Sequence, residues 1–206
     1  MCEFIEFLIG EGMELLPIIK DLAIIAGSMS AIYIGFSGLY TWKRQTIGTT
    51  KFEVARQIIK TSYEIEHRID LLRAPLIILD ADEVKESGEI STLQKHYDER
   101  YNKIVEKWVE LETLNFEAQA IWGDVAKFSI EKLDKAIRNL KGDLWLFFWL
   151  KGAYAGPGAT VDDSPERVEE VNKVIYKTSE KDEFSLEVKA AIKQVEDFYR
   201  QELENL

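Results

Sequence analysis

The longest feature of the hydrophobic pattern is a stretch with no charge at all, the 21 residues from Leu22 to Trp42. As a helix rising 1.5 Å per residue it reaches about 30 Å, the thickness of a bilayer's hydrocarbon core. Lys20 and Asp21 close the run upstream, and Lys43 and Arg44 close it downstream. Aromatic rings favour the headgroup boundary and long basic side chains reach past it. Tyr40, Trp42, Lys43 and Arg44 therefore read as a membrane-interface anchor. Pro17 suits a first helical turn just ahead of the run. Inside it Gly27, Ala31 and Gly35 recur every four residues, with Gly38 one turn on. Such a stripe of small side chains lets a second span approach closely in lipid. Two readings compete with a transmembrane helix. A buried core helix is one, because glycines and hydroxyls temper the hydrophobicity. A cleaved signal is the other, and the acidic leader argues against it.

Downstream the apolar positions fall into helical spacing. Thr50 with Glu53 three residues on forms a capping box, so a new helix is expected to start near Lys51 after Gly48. Phe52, Ala55, Ile58, Ile59, Ile65, Ile69 and Leu72 give it one apolar face, and Pro75 ends it. Residues 75–91 read as a connector, closed by a weaker capping box at Ser91 and Gln94. A second helix carries Leu93, Tyr97, Ile104, Trp108, Leu111, Ala118 and Trp122 and breaks at Gly123. A third runs from Val125 to Phe148. Gly152, Gly156, Pro157 and Gly158 make a loop. Ser164–Pro165 is an N-cap with proline in the first turn, opening a short helix with Val168, Val171 and Ile175. A last helix uses Phe184, Val188, Ile192, Val195, Tyr199 and Leu203. Strand-type alternation is nearly absent. The fold expected is all-α: a short acidic tail (1–21), one N-terminal transmembrane helix (22–42) and a cytoplasmic bundle of four or five helices (43–206).

Charge adds an orientation. The chain carries 26 basic and 37 acidic residues, net −11, and the imbalance is uneven. Residues 1–21 hold one base and five acids, whereas residues 43–60 hold five bases and one acid. Positive flanks stay cytoplasmic, so the N-terminus is expected outside and the larger part inside a bacterial inner membrane. The net −7 of residues 43–206 argues against nucleic acid as a partner.

Little in the sequence points to catalysis. Cys2 is the sole cysteine and there are two histidines, too few for a Cys-rich metal centre or a Cys/His nucleophile. Glu64 and His67 form a single Glu-x-x-His, half of what a di-iron bundle needs, and His96 has Leu93 where the second glutamate would stand. The glycine-rich Lys151–Thr160 lacks the Gly-Lys-Ser/Thr ending of a phosphate loop. The acidic runs Asp80–Glu86 and Asp162–Glu170 lack a calcium ladder. No catalytic residue, cofactor, metal or small-molecule substrate is assigned. The densest apolar run, Leu144–Leu150, is apolar all round, more than one core face requires. Leu144, Trp145, Phe147, Phe148 and Trp149 are thus a candidate interaction patch, with the enclosed end of a bundle helix as the plainer reading.

Some of these residues also carry a resemblance. Trp42-Lys43-Arg44-Gln45, Gly48, Phe52 to Arg56, Tyr63, Ile69, Arg73 and Pro75, followed later by Val174-Ile175-Tyr176 and Asp182-Glu183-Phe184, resemble an uncharacterised bacterial family. Its members have a short N-terminus, one membrane helix, this WKRQ junction and a helical tail. The likeness covers about half the chain and departs at Glu66-His67, where an Arg-Asp pair is the family pattern. It implies a cytoplasm-facing inner-membrane protein and no activity. The function expected is a non-enzymatic scaffold or interaction module, as a homo-oligomer or beside a membrane protein partner. A membrane-perturbing defence or stress effector, or a bundle-based enzyme or metal protein, are the alternatives.

Overall fold

The computed structural model describes residues 2–154, 158, 160 and 162–204, with side chains from Lys20 onward. Cys2, Glu3, Glu6, Glu11, Glu14 and Pro17 therefore have side chains outside the described residues, as have Gly156 and Pro157 altogether. The described residues form seven helices and no strand: α1 (Cys2–Leu72), α2 (Ala81–Ser87), α3 (Glu89–Trp122), α4 (Val125–Ser129), α5 (Glu131–Leu150), α6 (Pro165–Ile175) and α7 (Glu183–Glu204). The chain divides into two units, Met1–Thr50 and Lys51–Leu206.

The first unit is part of α1 alone. The expected helix start near Lys51 is corrected here: α1 continues through Gly48 without interruption. A glycine costs a helix only about 1 kcal/mol. The Thr49 and Thr50 hydroxyls do not cap but donate back to the Gln45 and Thr46 carbonyls. Glu53 turns instead to Arg56 and Gln57.

The second unit is the all-helical bundle. Val54, Ala55, Ile58, Ile65, Ile69 and Leu72 line the buried face of α1. They share one core with Tyr97, Ile104 and Leu111 of α3, Leu133 and Leu140 of α5, and Val188, Val195 and Tyr199 of α7. α3 runs antiparallel to α1, as three cross-links record. Glu110 accepts from Thr61 at 3.5 Å, Lys107 pairs with Glu64 at 2.7 Å, and Arg100 donates to the Leu71 carbonyl at 2.8 Å.

The helix count is also corrected: the C-terminal part of α1 and six further helices are described where four or five were expected. α2 lies inside the expected connector, where Asp80 caps the Asp82 and Glu83 N–H groups. The expected third helix is two, α4 and α5, parted at Ile130. α3 starts at Glu89 after Gly88, which has φ +81°, so Ser91 lies within the helix rather than at its cap. Gly123, at φ +77°, ends α3 as expected. Pro165 occupies the first turn of α6.

Candidate membrane span and interaction surfaces

Two surfaces and one buried junction hold the residues of interest. On the first unit every large apolar side chain from Leu22 to Trp42 is exposed, from Ile25 at 55% to Tyr33 at 75%. None of them is buried, unlike the core positions further along α1. The helix is long and apolar enough to cross a membrane. Gly27, Gly35 and Gly38 meet nothing within 4 Å of where a Cβ would stand, and Ala31 is exposed, so the small-residue stripe lies open. Tyr40, Trp42, Lys43 and Arg44 are all exposed beside it. Three of the hydroxyls in the run bond back to the helix. Ser28, Ser30 and Thr41 donate to the carbonyls of Ile24, Ala26 and Ser37, which suits a helix in an apolar medium.

The run Leu144–Leu150 separates by helical face. Leu144, Phe147 and Phe148 are buried in the core, where Tyr97 meets both phenylalanine rings at 5.7 and 5.6 Å. Trp145 is 52% exposed, and Leu146, Trp149 and Leu150 are half-buried. Tyr154, which the sequence did not single out, stacks on Trp145 at 5.8 Å and 16°. Its hydroxyl is held by the Gln94 amide at 2.8 Å. The available surface is therefore a three-ring aromatic cluster, smaller than the five residues read from sequence.

The buried junction is Arg73, a side chain with no exposure. Its Nε donates to the Val174 carbonyl at 2.6 Å and its Nη1 to Ser185 Oγ at 2.8 Å. Its Nη2 reaches the Lys173 and Tyr176 carbonyls and pairs with Asp182 Oδ1 at 2.9 Å. The Phe184 ring lies 4.9 Å from the guanidinium carbon. Burial pushes the Asp182 carboxyl up, but the Ser185 N–H and Arg73 outweigh it and hold it below its usual range. Lys177 closes the junction, donating its backbone N–H to the Arg73 carbonyl and pairing with Asp70 and Glu180. The widely separated segments 69–75 and 174–184, both noted in the sequence, thus meet here.

Glu64 and His67 share an open groove with Lys60 and Lys107. Glu64 is already paired with both lysines. Among the described residues no group of three or more His, Cys, Asp or Glu side chains converges. Comparison with protein-family models, with curated proteins and with solved structures finds no match.

Proposed function

We propose that this chain is a single-pass membrane protein whose helical domain is a non-enzymatic interaction module on the cytoplasmic side. The observation that carries this reading is the unbroken exposed apolar surface of α1 from Leu22 to Trp42. Water solvates such a surface poorly, and burying a side chain of this size is worth about 1.5–3 kcal/mol. A bilayer satisfies all faces of it at once. The excess of basic residues in 43–60 supports an N-out orientation. The open stripe of Gly27, Ala31, Gly35 and Gly38 supports self-association or a partner span. The Trp145–Trp149–Tyr154 cluster supports a docking role for the helical domain.

Two experiments test the reading. Membranes washed at alkaline pH should retain the protein, and release into the supernatant would refute the span. An alkaline-phosphatase fusion after Glu204 should be inactive. A highly active C-terminal fusion would reverse the orientation.

A further inference from the structure

The end of the helical domain that begins at Lys51 carries a second apolar surface. The antiparallel register of α1 and α3 brings the C-terminal end of α3 to this end. Four large apolar side chains stand exposed here: Phe52 at 55%, Phe116 at 68%, Val125 at 55% and Phe128 at 57%. Their exposure is built in rather than incidental. α4 is fixed by its other face, where Ala126 and Ser129 are buried. The Gln194 amide also donates to the Phe128 carbonyl at 3.0 Å. Phe116 and Phe128 line one groove of about 460 Å³, together with Trp108 and Lys127. The groove's charges are mixed, Glu112, Glu131 and Asp134 against Lys127 and Arg138.

We propose that this surface rests on the bilayer, inserting Phe116, Val125 and Phe128 among the headgroups of the leaflet that the span leaves at Trp42. The inference rests on the membrane-spanning reading. What identifies the occupant is the tether. Lys51 lies only nine residues beyond Trp42 on the same helix, about 14 Å of rise, so this end of the domain stays near the leaflet. So short a connection keeps the surface beside the headgroups, where shallow apolar contacts suffice. Because the groove carries no excess of basic side chains, the contact depends on apolar insertion and not on anionic lipid.

The test uses the full chain with Cys2→Ser, in phosphatidylcholine nanodiscs, with or without spin-labelled acyl chains. A fluorophore is attached in turn at Ile34→Cys, Val125→Cys, Phe128→Cys and Leu76→Cys. Leu76 is 75% exposed beyond the opposite end of the bundled part of α1. Quenching of about twofold or more at Ile34, Val125 and Phe128, with little at Leu76, is expected. Quenching at Ile34 alone overturns the inference and leaves the span standing. Quenching nowhere overturns both. A Phe128 probe shielded from water yet untouched by the lipid quencher also overturns it, and indicates a second copy on this face. Equal quenching at Leu76 removes its specificity and overturns it too.

Discussion

Ile34 and Ile58 belong to one helix, yet the first is 69% exposed and the second fully buried. What separates them is the distribution of their neighbours around the helix axis. From Leu22 to Trp42 apolar side chains occupy every face, and all the large ones are exposed. From Val54 to Leu72 they form one stripe, which is buried, while Arg56, Lys60, Glu66 and Asp70 take the other faces. One continuous backbone therefore carries two kinds of surface. An all-round apolar surface suits a medium that is apolar on every side, and a striped one suits a core. Along α1 the placement of apolar residues around the axis, more than their number, decides which medium each part suits.

The largest effect should come from the junction that has no counterpart in the first unit. Arg73→Ala leaves Asp182 and several carbonyls buried without their donor, at a cost of about 3–5 kcal/mol. Urea unfolding of the full chain in mild detergent measures it. A loss under about 1 kcal/mol, the net worth of one ordinary hydrogen bond, would show that the junction is dispensable. Next is the direct contrast between the two isoleucines. Ile58→Ala should cost about 2–5 kcal/mol and Ile34→Ala nearly nothing in the same assay. Equal losses would break the comparison outright.

Gly35→Leu should shift a blue-native oligomer toward monomer without moving the unfolding midpoint. A strictly monomeric protein, unchanged by the substitution, would remove the packing role of the stripe. The acid response should be smaller. Because the native Asp182 carboxyl titrates below its unfolded value of about 3.9, its contribution is complete above about pH 4 and lost as pH falls through the native value. Stability that already declines between about pH 7 and 5 would contradict this. The smallest effect concerns Glu66, whose carboxyl is pushed up by burial and by the neighbouring Asp70. A raised carboxyl favours the fold at low pH and loses that advantage as pH rises through the native value. Glu66→Gln should therefore stabilise slightly near pH 7 and have no effect near pH 4, read as paired melting curves.

Much of the second unit was legible because its signals are local. Gly123, Pro75 and Ser164–Pro165 bound helices where the sequence suggests, and the core faces follow the 3.6-residue period. Asp80 with Glu83 three residues on is an equally readable helix start, although the run around it is acidic. The capping box at Ser91 failed because α3 starts two residues earlier, at Glu89, and the one at Thr50 for a different reason. A short hydroxyl side chain can donate to the carbonyl one turn back inside a helix as readily as it can cap one. At the aromatic run, helical arithmetic already separates Leu144, Phe147 and Phe148 from Trp145 and Trp149. Tyr154 was hidden because its stacking depends on the turn after α5. Arg73 was illegible as a junction. Its partners lie about a hundred residues away in sequence, beyond any periodicity, although the family resemblance draws on both segments.

The central claim is that the two parts of α1 lie in different media, with the N-terminal flank outside and the helical domain inside. The sole cysteine, Cys2, is a natural probe of it. Intact cells are treated with a membrane-impermeant maleimide and compared with cells carrying Cys2→Ser together with Ser179→Cys. Cys2 should be labelled without lysis, and the cysteine at position 179 only after lysis. Labelling at position 179 in intact cells, or identical labelling of both positions before lysis, would contradict the account.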